Sequence, residues 1–202
     1  NLTFGVEVSE QPLTDEEFVS HRIPFEQQLF KQLRPTPRGI RLLGKLVSKK
    51  QLLICIFPRY RHIRRPDKNW PREKYLHLVR YFQAQYPSVV VALAGLPGDA
   101  HFDDGVPEGC LDLINVPANA RLDIQIAALQ QSILSLGSES GTMLVSLATG
   151  CSALTWGWRN DGPLYHSQNR LNTRFIYHPV IDASCEEIAL LASSMIAEKI
   201  PR

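Results

Sequence analysis

From Gln51 onward the chain alternates between two hydrophobic rhythms. "QLLICIF" (51–57) is apolar at every position after the first, the pattern of a strand buried on both faces. "PREKYLHLVRYFQAQ" (71–85) instead spaces Tyr75, Leu78, Val79 and Phe82 along one face of a helix and sets Pro71 at its expected first position. The same logic predicts strands at "SVVVALAG" (88–95), "CLDLINV" (110–116), "SILSLGS" (132–138), "SALTWGW" (152–158) and "TRFIYH" (173–178). It predicts helices at "LDIQIAALQQ" (122–131), at "GTMLVSLATG" (141–150), which ends in Gly, and at the amphipathic "CEEIALLASSMIAEKI" (185–200).

Residues 1–50 have a different texture. "LTDEEFVSHRIPFEQQLFKQL" offers a cap at Thr14 and the apolar series Phe18, Ile23, Phe25, Leu29, Phe30 and Leu33, interrupted by Pro24. It reads as a broken helix, and "RPTPRGIRLLGKLVSKK" after it as a basic Pro/Gly-containing link. The expected organisation is a helical arm and linker over 1–50, followed by an α/β domain over 51–202. Buried strands alternating with helices imply βαβ units and a Rossmann-like, doubly wound parallel sheet.

Composition changes this picture little. The chain has 202 residues, 44% hydrophobic and 21% charged, and a formal net charge of +2. It is long enough for one large domain with an arm, and the near balance of charge gives no support to a nucleic-acid partner. Cys55, Cys110, Cys151 and Cys185 are far apart and form no metal-ligand pattern, so the expectation is free thiols in a reducing, cytoplasmic setting and no metal site. There is no apolar run of membrane-spanning length and no visible signal peptide. The chain begins at Asn1 rather than Met, and is read as a processed chain or a piece of something longer.

Doubly wound sheets bind ligands beyond the carboxyl ends of their strands, and two loops on that edge draw notice. Residues 59–68 carry Arg59, Arg61, Arg64, Arg65 and Lys68 against one acid, Asp67. Guanidinium forks match phosphate oxygens, and lysine serves as a point charge. The plainer reading is a solvated patch, or ion pairs with Asp103, Asp104 or Glu108. The second loop, "GSESGTM" (137–143), joins a strand to a helix start, where backbone N–H groups and the helix dipole suit phosphate. Ser138, Ser140 and Thr142 add hydroxyls, although Ser140 or Thr142 as a simple helix cap explains them equally well. GxGxxG and GxSxG are absent, the six histidines show no ligand spacing, and no carboxylate pair stands out as acid and base.

Two stretches carry a family resemblance. "KNWPREKYLHL" (68–78) resembles the Lys-x-Trp-Pro segment, and "ESGTMLVSLATGCSALTWG" (139–157) the Asp-Ser-Gly-x-x-His segment, of the heptosyltransferase-like glycosyltransferases of family 9. The likeness covers roughly residues 51–160 and implies the C-terminal, donor-binding half of a GT-B fold. It would place Lys68 and the Ser140–Gly141–Thr142 backbone on the diphosphate of a nucleotide sugar, with Arg59, Arg61, Glu139 and Met143 in support. Glu139 stands where the family has Asp, Leu144 where it has His, and Ser152 where it usually has Pro. "HIRRPDK" (62–68) is also similar to an element of the α1,6-fucosyltransferase group, which would set Arg64 and Arg65 on the phosphates of a GDP sugar. Both likenesses imply an ADP- or GDP-linked donor, no metal or other cofactor, and an acceptor half on an N-terminal domain or partner chain. Transfer to a glycan or lipopolysaccharide-type acceptor would follow. A non-catalytic nucleotide- or sugar-binding module, or a protein-interaction domain, stays open beside them.

Overall fold

The computed structural model describes residues 31–63, 65–197 and 199. Of the broken helix expected over residues 14–33, residues 14–30 lie outside the described residues, as does Arg64, and residues 31–33 are not helical. From Gln32 onward the chain falls in one compact unit.

Among the described residues, six strands form one sheet: β1 Leu52–Phe57, β2 Val89–Ala94, β3 Leu111–Leu113, β4 Ser132–Ser138, β5 Ala153–Trp156 and β6 Phe175–His178. Their order is β3-β2-β1-β4-β5-β6 and every pairing is parallel. This is the doubly wound order whose direction reverses between β1 and β4, so the crevice for a ligand opens where those two strands end. Both loops singled out above leave from that point.

Among the described residues, six α-helices cover the sheet: α1 Pro37–Leu43, α2 Arg72–Gln85, α3 Arg121–Gln131, α4 Gly141–Thr149, α5 Gly162–Gln168 and α6 Cys185–Ile196. Continuous apolar strands have a side chain for each face. Ile54, Ile56, Leu134, Leu136 and Trp156 pack with Tyr75, Leu78 and Phe82 of α2 and with Ile188 and Ala192 of α6. Leu53, Cys55, Phe57 and Ala153 pack with Ala127 and Ala128 of α3 and with Met143 and Leu147 of α4. Gly137 on β4 makes the second layer possible: a Cβ there would lie 2.9 Å from the Met143 sulfur and 3.1 Å from the Phe57 carbonyl oxygen. The N-terminus of α6 is closed by a capping box, since Ser184 Oγ accepts from Glu187 N at 3.1 Å and the Glu187 carboxylate accepts from Ser184 N at 2.8 Å.

Every expected strand and helix after Gln51 is present, with ends displaced by a few residues. Two short helices were not anticipated. Helix α1 falls in the stretch read as a link. Pro37 opens it, Thr36 caps it by accepting from Gly39 N, and Leu43 and Val47 reach the core. It packs against α3 so closely that a Cβ on Gly39 would lie 2.6 Å from the Asp123 carbonyl oxygen. Helix α5 follows a 3-10 turn at Arg159–Asp161 and brings Tyr165 into the core under β6.

Candidate functional site

The loop after β1 is held by one amide. Asn69 Oδ1 accepts from Arg59 Nη1 at 2.6 Å and from the Arg61 backbone N–H at 3.0 Å, and Asn69 Nδ2 donates to the Arg61 carbonyl at 2.8 Å. Arg59 is only 7% exposed. Its Nη2 donates to the Arg65 carbonyl at 2.9 Å, which fixes the turn where Arg65 adopts a left-handed φ of 54° just before Pro66. Burial, reinforced by the neighbouring Arg61 charge, lowers the Arg59 pKa from its ordinary value. Asn69 was not singled out from sequence; its place between Lys68 and Trp70 gave no sign that it organises the loop.

The loop after β4 enters α4 through Ser140, in extended conformation at the N-cap position. Its hydroxyl does not cap the helix. Ser140 Oγ sits 2.6 Å from Thr142 Oγ1, and the Ser140 carbonyl accepts from Tyr165 Oη at 3.1 Å. The two hydroxyls bond each other at the mouth of the helix, which uses one of their two protons. A Cβ on Gly141 would meet nothing within 4 Å, so the first turn of α4 is open on that side. Met143 points the opposite way and is fully buried in the core, leaving only its backbone near the mouth.

Arg59, Arg61, Ser140 and Thr142 line one cleft at the β1/β4 reversal, together with Phe57 and Gly95. Lys68 is drawn elsewhere. Its Nζ contacts Glu139 Oε1 and lies 2.8 Å from Asp161 Oδ2, with Lys68 15% and the Glu139 side chain 1% exposed. Glu139 Oε2 is also 2.8 Å from the Tyr177 hydroxyl, which in turn lies 2.6 Å from the Trp158 carbonyl. Gly157 completes the socket, because a Cβ there would fall on the Glu139 carboxylate and 2.6 Å from the Tyr177 hydroxyl. Burial raises the Glu139 pKa against the pull of Lys68 and Tyr177. The Lys68 contact holds Asp161 below its usual range. Burial and the Glu139 carboxylate push the Tyr177 phenol up.

The charge of the loop is thus answered locally. Arg61 pairs with Asp99 at 3.5 Å, Arg65 with Asp67 at 3.1 Å, and Lys68 with Glu139 and Asp161. The acids considered from sequence do other work: Asp104 pairs with Arg72 at 3.3 Å, Asp103 accepts from Gly98 N at 2.9 Å, and the Glu108 carbonyl accepts from Gln83. Glu139 was expected only to support a donor; its carboxylate is instead a counter-charge for Lys68. Asp161 and Tyr177 lie 22 and 38 residues past Glu139 in a stretch where sequence pattern flagged nothing polar.

No family model matches the chain, and no curated protein matches it in sequence. Solved structures do match in fold. A family 9 glycosyltransferase from Veillonella parvula superposes with a TM-score of 0.64 at 15% identity, over 83% of this chain and 54% of that one. ADP-heptose lipopolysaccharide heptosyltransferase II of E. coli gives 0.62 at 18%, over 86% and 56%. An E. coli heptosyltransferase solved with ADP gives 0.52 at 12%, over 78% and 48%. The chain spans about half the length of these proteins. Its six parallel strands and flanking helices have the Rossmann-like fold of a GT-B glycosyltransferase domain, resembling those of family 9.

Proposed function

We propose that this chain is the donor-binding half of a glycosyltransferase, taking the diphosphate of a nucleotide sugar into the cleft at the β1/β4 reversal. The observation that carries this reading is the convergence of Arg59, Arg61, Ser140 and Thr142 on one cleft, at the N-terminus of α4 and at the topological position where such sheets hold nucleotides. Arg61 and the Ser140–Thr142 turn would meet the phosphate oxygens, and Gly141 leaves room for their close approach. Lys68 would lend its charge from the flank.

In glycosyl transfer the nucleoside diphosphate leaves as an anion. Fixed cations and helix N–H groups aimed at that charge lower the barrier without a metal. The base that deprotonates the acceptor hydroxyl would come from an acceptor half, on a preceding domain or a partner chain, for a glycan or lipopolysaccharide-type acceptor. Binding without transfer is the second reading. It is favoured by Leu144 at the position of the family's histidine and by the carboxylates already seated on Lys68.

Thermal unfolding with ADP, GDP, UDP and CMP in excess, beside Arg61→Ala and Thr142→Val, tests the reading. A nucleotide at about 100 times its Kd stabilises the fold by about 2.7 kcal/mol, or about 5–10 °C for a chain of this size. The shift is expected with ADP or GDP and should shrink sharply in both variants. ADP would favour the heptosyltransferase likeness and GDP the fucosyltransferase likeness. Absence of a shift with every nucleotide would remove the donor site from this chain.

A further inference from the structure

Lys68 flanks the cleft through Glu139, the residue before Ser140 of its lining, and two carboxylates already occupy it. Their socket is built into the fold. Glu139 leaves the end of β4 with its N–H donating to the Trp156 carbonyl at 2.8 Å, and its carboxylate lies over Gly157, where no Cβ intrudes. Tyr177 of β6 and Lys68 of the loop before α2 hold its two oxygens.

Proton counting around Tyr177 adds a constraint. Its hydroxyl has one proton and stands 2.6 Å from the Trp158 carbonyl and 2.8 Å from Glu139 Oε2. The carbonyl can only accept. When Tyr177 donates to it, the contact with Glu139 is a hydrogen bond only if the Glu139 carboxyl carries a proton. Asp161, its side chain 35% exposed, shares Lys68 with Glu139, and two carboxylates on one ammonium disfavour ionisation of the more buried one.

Resting on the donor-site reading, we propose that Glu139 is an internal counter-anion of the phosphate site, and that binding of an anionic donor is coupled to uptake of one proton by its carboxyl. At high pH the ionised Glu139 and Asp161 together outweigh Lys68, and an incoming diphosphate meets a net negative flank. Protonating Glu139 frees Lys68 from one partner, leaves Tyr177 donating to Trp158, and allows the carboxyl to donate to the tyrosine oxygen. The groups facing Glu139 are Lys68, Asp161 before α5, Tyr177 of β6 and Tyr165 of α5, with Arg65 at longer range. Burial raises the carboxyl's pKa in the free protein, and a second anion nearby raises it further, so affinity rises as pH falls.

The test is calorimetric binding of ADP-ribose and GDP-mannose, whose esterified diphosphates do not titrate near neutrality, to the wild type and Glu139→Gln between about pH 5.5 and 8. Wild-type Kd should tighten by up to about tenfold per pH unit on acidification through the Glu139 titration. Titrations in two buffers of different ionisation enthalpy should register uptake of about one proton. Glu139→Gln should bind more tightly than wild type at the alkaline end, with a flat pH profile and no proton uptake. Wild-type binding that is independent of pH and takes up no proton would overturn the counter-anion alone, whatever the variant does. No binding by either protein at any pH would overturn the donor site and this inference with it.

Discussion

The carboxyl edge of the sheet has two sides that solve opposite problems. On the β1 side, the Arg59 guanidinium is held at a cleft by an amide, Asn69, and a main-chain carbonyl, and Arg61 beside it pairs with Asp99 at 3.5 Å. Neutral oxygens orient a guanidinium without cancelling its charge. On the β4–β6 side, Lys68 is met by two carboxylates, the buried Glu139, which a phenol also holds, and the half-exposed Asp161. Ionised partners orient it and cancel it together. A run of cations in one loop therefore becomes a buried arginine held by neutral oxygens, an arginine paired with Asp99 at the cleft and a lysine neutralised by two carboxylates, and the difference is set by which acceptors the rest of the fold brings near.

Asn69→Ala should break the first side with the largest effect. Three hydrogen bonds go at once, one of them to a buried cation, and the loss of a partner for a buried polar group costs about 1–3 kcal/mol. The Tm should fall by about 2–4 °C per kcal/mol. Hydrogen exchange should accelerate over residues 59–69 while β4–β6 amides keep their protection. Equal acceleration on both sides would show that the two scaffolds are one unit.

Gly157→Ala sharpens the contrast from the other side at a smaller cost. The new methyl would collide with the Glu139 carboxylate and the Tyr177 hydroxyl. The colliding atoms are side-chain ends able to swing aside, so about 1–2 kcal/mol is expected, at the low end for overpacking. The consequence is chemical: Glu139 leaves Lys68. In a double-mutant cycle with Glu139→Ala, which empties the space in advance, the Gly157→Ala penalty should largely vanish. A penalty that persists would place the clash with Tyr177 and not with the carboxylate.

How much of this was legible follows from the range over which each feature is encoded. β1 and β4 are visible because six or seven adjacent residues must fill both faces of a buried sheet. The paired loops at the reversal follow from strand order. Helix α1 was hidden because seven residues flanked by Pro35 and Gly44 have little helical preference of their own; its stability comes from packing Gly39 onto the Asp123 main chain, 84 residues away. The neutralisation of Lys68 was hidden for the same reason, since Asp161 lies 93 residues further on. Clustering of charge can be read from a window of ten residues, whereas its cancellation requires the fold.

The smallest effect should come from Arg65→Ala, and its smallness is the point. Arg65 contributes to the loop through its carbonyl, which Arg59 holds, and alanine keeps that carbonyl. The left-handed φ of 54° disfavours alanine about as much as arginine. The guanidinium is bound to Asp67 two residues on, more than half exposed, and exposed ion pairs of this kind contribute little to stability. The Tm should therefore stay within experimental error of wild type. Because the guanidinium is paired with Asp67 and Arg65 is not among the residues that line the cleft, nucleotide affinity should also stay within about twofold, while Arg61→Ala loses it. A large loss of GDP binding in Arg65→Ala would mean that the side chain leaves Asp67 for the phosphates, as the fucosyltransferase likeness implies. The β1 side would then be a gripping loop and not a fixed scaffold.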